Sequence, residues 1–501
     1  MWMGVDLGTQ GVRAVLAGDD GETLGAGAAP LTGSRDGARH EQSPDDWWQA
    51  VRTAIGGALA AVPPGRSRRV GALAVCGTSG TVLLTDGAGR PLTPGLMYDD
   101  GRATAEAALA RERGLRVQPT WALPKVMWLL KEYAGAEEHA GATGVRVTHQ
   151  TDLVVSRLVG RPVATDSSHA LKTGYDLAGD TWPYRELAAL GLGAEMFPQV
   201  VRPGTRLGEI GAAGEAVTGL PAGTPVVAGM TDGCAAQIAS GSLTPGSWNS
   251  VLGTTLVLKG VTPEPVHDST GVVYNHRSPD GGWLPGGASN VGAGALGRAF
   301  PDADPARLDA LAHHHEPATT LAYPLVSHGE RFPFLAPDAT ALLLGEPRSA
   351  ADHWAALLQG VAHTERLCLD YLDHLGAPQD GPLTFTGGGS RSAYWNQLRA
   401  DVLGRTVHLP RQSEPALGMA VLAAYGAGAA PTLADAATRM VGTGHVLRPR
   451  PARTARFLEP YLKMVGELEQ RGWLPAPVAA HARTRAARPV RADDPGDPEA
   501  P

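Results

Sequence analysis

Val5-Asp6-Leu7-Gly8-Thr9-Gln10-Gly11-Val12-Arg13-Ala14-Val15-Leu16-Ala17-Gly18 reads as an apolar strand, a Gly-Thr-Gln-Gly turn and a second apolar strand. With the next turn at Gly18-Asp19-Asp20-Gly21, this is the pattern of a hairpin meander. About 245 residues further on, Ser247 to Gly260 (SWNSVLGTTLVLKG) repeats the syntax: apolar strand, Leu-Gly-Thr turn, apolar strand, Gly. The two stretches share Leu-Gly-Thr, then Val-Leu, one residue and Gly. Two such hairpins predict two domains of related topology. A chain of 501 residues is in any case too long for one core, and domains of roughly 200 to 250 residues are expected. The boundary is placed near residue 240, giving domains at 1–240 and 241–474.

Working outward from the first hairpin, Ser43-Pro44-Asp45-Asp46 has a capping Ser, a Pro at the first helical position and acids in the first turn, so WWQAVRTAIGGALAAV continues as a helix. Residues 70 to 86 read as two buried strands around a Gly/Ser/Thr turn, and 124–133 and 152–158 as helices; the first half is therefore mixed α/β. TPVVAGMTDG (224–233) is a strand running into a turn, and CAAQIAS is a helix of small residues. Helices at 351–374, 391–403 and 414–428 dominate the second half. From residue 475 bulky apolar residues almost vanish, so 475–501 is expected to be a disordered tail.

Composition removes several function classes. Lys plus Arg number 43 against 50 Asp plus Glu, a net −7 without blocks of like charge, so no nucleic-acid partner is expected and a small molecule is. Cys76, Cys234 and Cys368 are odd in number, far apart and without a CxxC pair, which argues against a disulfide framework or a thiolate zinc site. The N-terminus lacks a basic segment before an apolar core, and no run of about 18 apolar residues occurs. A cytoplasmic protein with no membrane partner is expected. The oligomeric state is open, a homodimer being compatible with the sequence.

Several residues are placed to do chemistry. Asp6 stands at a strand end before glycines that expose backbone N–H groups, which can hold phosphate oxygens; Thr9 and Gln10 add side-chain donors, and Asp6 suits a hydrated Mg²⁺. An ordinary hairpin turn with an Asx interaction explains the same residues. Gly253 and Thr254 echo the loop, and two Gly-Thr hairpins can grip one polyphosphate. Asp232, between Thr231 and Gly233 at the start of a small-residue helix, is either a catalytic carboxylate or a turn cap. Thr386-Gly387-Gly388-Gly389-Ser390 lies between an apolar strand and a helix, where the backbone admits a flat ring or ribose. Gly292 to Gly297 fits GxGxxG formally, but no clear strand precedes it and it reads as a helix start. No GxxxxGK[ST] motif is present, which excludes a P-loop kinase. His313, His314 and His315 are adjacent rather than i, i+4, and read as solvated.

Together, GVDLGTQGVRAVL, HEQSPDDWW (40–48), LMYDDGRA (96–103), GMTDGCAAQ (229–237), SVLGTTLVLKG (250–260), GERFPF (329–334) and FTGGGSRSAYWNQLRADVLGRTVHLP (385–410) resemble the FGGY family of carbohydrate kinases, over about residues 3 to 470. The resemblance implies an α/β fold of two actin-like (ribonuclease H-like) domains with a catalytic cleft between them. It implies ATP and Mg²⁺, with Asp6 and Thr9 in the first phosphate loop and Asp6 near the metal. It further implies Gly253 and Thr254 in a second loop, Asp232 as the base, and Gly388, Gly389 and Asn396 near the adenosine. A base, a magnesium ion and two phosphate loops suffice for phosphoryl transfer, which depends mainly on alignment and charge neutralisation.

One departure bears on the sugar. Typical xylulokinases of the family carry a Gln-Met-His element where this chain has Gly77-Thr78-Ser79-Gly80-Thr81-Val82. That segment, with LMYDD and SSHALKTGYD (167–176), looks more like the D-ribulokinase branch, which places Ser79 at the sugar beside Asp6 and Asp232. D-ribulose is therefore expected as the acceptor, with D-xylulose or another polyol as the alternative. A nucleotide-binding regulatory protein without efficient transfer is the alternative from a different class.

Overall fold

Met3, Val5 and Leu7 have no solvent exposure, and the strand they build, Trp2–Leu7, is buried along almost its whole length, as befits a central strand covered on both faces. It pairs antiparallel with Gly11–Ala17, closing the first hairpin, and parallel with Ala72–Gly77. In this computed structural model, which describes residues 1–63, 65, 69–133 and 144–487, the chain divides into two α/β units. The first contains Met1–Gly241, His276–Gly281 and Gln412–Gly442; the second contains Ser242–Asn275, Gly282–Arg411 and the chain from Thr443 onward.

The first unit's main sheet runs Arg206–Glu209, Pro225–Val227, Ala72–Gly77, Trp2–Leu7, Gly11–Ala17, Thr23–Pro30. Successive pairs are antiparallel, parallel, parallel, antiparallel, antiparallel. In the second unit Thr443–Leu447, Val407–Pro410, Leu383–Thr386, Trp248–Leu252, Leu256–Gly260 and Trp283–Ser289 lie side by side with the same sequence of senses. The echo between the two hairpins thus belongs to a sheet pattern present twice. One difference is that the outer antiparallel strand precedes its neighbour in the first unit and follows it in the second. Each unit has its own core. Trp47, Val51 and Ile55 of helix Pro44–Ala60 pack with Met3, Val5 and Leu7, and Trp354, Leu358 and Val361 of helix Ala350–His374 pack with Trp248, Leu252 and Phe385.

A single cut near residue 240 misplaces one segment. Helix Pro415–Gly426 belongs to the first unit because it lies directly on the strand Trp2–Leu7 and on helix Asp232–Ala239. The approach is so close that a Cβ on Gly4 would sit 1.8 Å from the Ala416 carbonyl oxygen, and one on Gly418 would sit 2.2 Å from that of Ala235. Only glycine fits at these two positions. The expected tail also needs correction. Ala476–Ala486 is a helix with Val478, Ala479, Ala482 and Ala486 buried in the second core, since small residues pack as well as bulky ones where a neighbouring helix comes close. Residues 488–501 lie outside the described residues. Among those described, no helix is long and apolar enough to cross a membrane.

Candidate active site

In the first unit, the carboxyl ends of parallel strands collect the acids. Asp6 is the register partner of Cys76 across the parallel ladder, and Gly77 bridges Thr231, the residue that precedes Asp232. Such edges are where open α/β sheets place functional groups. Asp6 is only 7% exposed. Burial pushes its carboxyl up to about 6, helped by the negative charge of Asp232, while a hydrogen bond from Cys76 and the charge of Arg13 pull the other way. Cys76 Sγ donates to Asp6 Oδ1 at 3.5 Å; burial, and then the Asp6 carboxylate, push the thiol well above its ordinary value. Asp232 opens helix Asp232–Ala239, and its Oδ1 accepts from the Gly233 N–H at 2.7 Å.

The turn after Asp6 is braced from below. Gly8 N–H donates to Gly11 O at 3.1 Å and Leu31 N–H to Gln10 O at 3.0 Å. Gln42 Nε2 donates to Thr9 O at 2.7 Å, and Gln42 Oε1 accepts from Trp47 Nε1 at 2.7 Å. The HEQSPDDWW segment therefore fixes the loop's shape through a wholly buried tryptophan, while Ser43 caps the helix that carries it. Its neighbours lock onto LMYDDGRA: His40 N–H donates to Asp100 Oδ2 at 2.7 Å, and Arg102 pairs with both Asp100 and Glu41. These motif residues act as framework.

Five buried polar atoms of the first unit have no hydrogen-bond partner: Ser79 Oγ, Gln150 Nε2, Thr151 Oγ1, Ser167 Oγ and His169 Nε2. Several belong to segments that contact residues beside the acids. Thr78 donates through N–H and Oγ1 to Gln150 Oε1, at 3.1 and 3.0 Å. A Cβ on Gly77 would meet Thr151 Cγ2 at 2.8 Å. Thr231 N–H donates to Ser168 Oγ at 2.9 Å, and Ser168 Oγ donates to Asp166 Oδ1. The imidazole of His169 faces Asp166 Oδ2 through Nδ1 at 2.5 Å. Burial opposes the charge on His169, but Asp166 outweighs it and raises the imidazole above its ordinary value; Asp232 contributes in the same direction. A buried polar atom left unpaired costs about 1–3 kcal/mol, so five within one unit are a concentrated exception. Ser79 is among the candidates that the sequence offers. Gln150, Thr151, Ser167 and His169 are not, because HQTD and TDSSH lie on helix starts far from the Asp6 turn and carry no periodic signal.

The second unit brings its own loops together. Strands Trp248–Leu252 and Leu383–Thr386 are parallel neighbours, with Val251 opposite Thr386, so the Gly253-Thr254 turn and the Gly387-Gly388-Gly389 loop leave from adjacent strand ends. Gly387 has φ +85°, and a Cβ there would lie 2.6 Å from Leu252 O. Asn396 is buried in helix Ala393–Leu403; its Nδ2 donates to Ser390 O at 2.7 Å, and its Oδ1 has no partner. Gly292 and Gly294 pack against the Thr254 backbone. A strand, Trp283–Ser289, does precede them, contrary to the sequence reading, and the helix Gly294–Ala299 follows as expected. GERFPF supplies a brace: Glu330 accepts from the Asn290 and Arg331 N–H groups, from Ser289 Oγ and from Tyr323 OH.

Among the described residues no group of three or more His, Cys, Asp or Glu is placed to hold a metal alone. Asp6 alone nevertheless suits Mg²⁺, which takes one or two carboxylates and keeps its waters.

Two Gly-Thr turns on sheets of one pattern, the first beside an acid at a strand end, are the architecture of the actin-like class. The models for the N-terminal and C-terminal domains of the FGGY family of carbohydrate kinases match residues 1–239 and 248–427. The chain belongs to that family and is a carbohydrate kinase. A xylulose kinase of Streptomyces coelicolor is 31% identical over 439 residues, covering 84% of this chain and 87% of that protein. An autoinducer-2 kinase of Salmonella choleraesuis is 27% identical, covering 91% of each. The structure of xylulose kinase from Rhodospirillum rubrum superimposes with a TM-score of 0.82 at 26% identity, over 94% of this chain and 99% of that one.

Proposed function

We propose that this kinase transfers the γ-phosphoryl group of ATP to the terminal hydroxyl of a ketopentose, D-ribulose. The supporting observation is the set of unpartnered buried polar atoms, Ser79 Oγ among them, on segments of which several contact the residues next to Asp6 and Asp232. Ser79 stands in the segment where typical xylulokinases carry a Gln-Met-His element, and it offers a small hydroxyl that can both donate and accept. Asp232 takes the proton of the accepting hydroxyl as that oxygen attacks phosphorus and ADP leaves. Asp6 would hold the magnesium ion, which neutralises charge on the phosphates. Thr9 and Gln10, with Gly253 and Thr254, present donors to the phosphate oxygens. Gly388, Gly389 and Asn396 accommodate the nucleoside, the Asn396 carbonyl being a free acceptor for an amino group.

The likeness to proteins named xylulose kinases favours a second reading, D-xylulose. The two sugars differ in the stereochemistry of one hydroxyl, a difference that a site built of polar contacts can reject strongly. ADP release measured across D-ribulose, D-xylulose, ribitol and glycerol decides between them. The reading expects the highest kcat/KM for D-ribulose and loss of sugar-dependent turnover in Asp232→Asn. Preference for D-xylulose overturns the sugar, and turnover that survives the substitution overturns the base.

A further inference from the structure

A cavity of about 220 Å³ opens in the second unit between helix Ala350–His374, the segment before strand Leu321–Tyr323, and helix Pro451–Gln470. It shares no residue with the turns at 253–255 and 387–396 or with Asn396. Its floor holds His363, which is 1% exposed and leaves both ring nitrogens without a hydrogen-bond partner, and Thr320, whose Oγ1 is likewise unpartnered. Buried polar atoms are nearly always paired, and three unpaired ones on residues that line one cavity is a concentrated exception. One water cannot account for the space, since a water occupies about 30 Å³ in the liquid and the cavity has room for roughly seven.

The chemistry of floor and rim differs. Burial, with the nearby charge of Arg366, lowers the His363 imidazole to about 3, so it is neutral and presents one donor and one acceptor. A charge placed on that floor would be buried without a counter-ion, which is prohibitively costly. A hydroxyl, which donates and accepts, matches both the ring and Thr320. The rim is formed by the exposed side chains of Arg456, Glu459 and Lys463, and no ion pair of theirs is seen among the described residues. Pro460 lies inside this helix. Having no N–H, it leaves the Arg456 carbonyl without its helical donor and opens the rim there. Two cations against one anion select a negatively charged group, and a phosphate or carboxylate fits best.

From this division we infer that the cavity is a second ligand site, taking a small hydroxylated organic anion whose charged group lies at Arg456 and Lys463 and whose hydroxyls reach His363 and Thr320. Phosphorylated and carboxylated polyols share this chemistry. The site is separate from the transfer residues of the proposed function and does not rest on the identity of the acceptor sugar.

Calorimetric titration of the full-length protein tests it with sorbitol 6-phosphate, gluconate and sorbitol as probes. Saturable binding of either anion and none of sorbitol is expected; the stronger of the two identifies phosphate or carboxylate as the head group. Lys463→Glu should weaken binding roughly tenfold or more by reversing one rim charge, and Thr320→Val should weaken it without a change of charge. Asp232→Asn should leave it intact. Absence of saturable binding by either anion overturns the inference. So does binding that survives both cavity variants, or that disappears in Asp232→Asn, which would place the ligand at the transfer site. Lys463→Glu changes an exposed side chain, so its effect cannot be ascribed to misfolding, and unchanged kinase turnover in that variant checks this.

Discussion

Replacing Asp6 by Asn should make the ligand-free protein more stable at neutral pH while removing its activity. The carboxyl rises from its ordinary 3.8 to about 6 in the folded chain. Because the folded-state value is the higher one, the folded protein binds this proton more tightly than the unfolded chain. The resulting stabilisation is complete below about pH 4 and is lost as the pH rises through about 6. A change of about two units corresponds to roughly 3 kcal/mol, which the native state forgoes at neutral pH by keeping an anion beside Asp232. Asn lacks the charge but retains an acceptor for the Cys76 thiol. Urea denaturation of both proteins, without nucleotide or metal, should therefore show Asp6→Asn more stable by about 1–3 kcal/mol near pH 7.5, the gap closing toward about pH 4. Sugar-dependent ADP release by the variant should be at background. A gap that does not change with pH, or a variant less stable near neutrality, would refute the electrostatic reasoning.

Other sites give sharper single readouts. Ser79→Ala should raise the KM for the sugar by about tenfold while leaving that for ATP within about twofold, as expected for one lost hydrogen bond of roughly 1–1.5 kcal/mol. Trp47→Phe keeps the bulk but removes the donor to Gln42 Oε1; loosening of the Thr9 carbonyl should lower kcat by about tenfold, with far-ultraviolet circular dichroism unchanged. In the second unit, Arg399 is fully buried between Glu365, bound through both carboxylate oxygens, and Ser250, with its guanidinium 3.5 Å from the Phe385 ring centroid. Glu365→Gln strands that charge and should cost about 3–5 kcal/mol, seen as a lower denaturation midpoint in chemical unfolding.

The parts of this molecule that depend on local sequence were legible before its structure. Leu-Gly-Thr between apolar runs gave both hairpins, Ser43-Pro44 fixed a helix start, and strand-end acids before glycines singled out Asp6 and Asp232. Tertiary proximity was not legible. Nothing near Gly4 or Gly418 says that the first touches the Ala416 backbone and the second that of Ala235, both far along the chain, so helix Pro415–Gly426 was assigned to the wrong half. Cys76 was one cysteine among three until a parallel register set it beside Asp6. His169 and Gln150 gain meaning only from their unpaired atoms. The helix Ala476–Ala486 was hidden by its composition, because alanines buried at a close helix contact look, in sequence, like residues with nothing to bury.

The return of residues 412–442 to the first unit has a consequence for biosynthesis. The amino-terminal strand emerges from the ribosome early, but the helix that covers Gly4 is made about 410 residues later, which is roughly 20 to 80 seconds at 5–20 residues per second. For that interval the central strand of the first sheet carries an unshielded face. The second unit must be translated almost to its end before the first can close, so a ribosome stalled anywhere between residues 240 and 412 holds an adhesive, half-finished product rather than a finished domain. Truncation after residue 240 should reproduce that state.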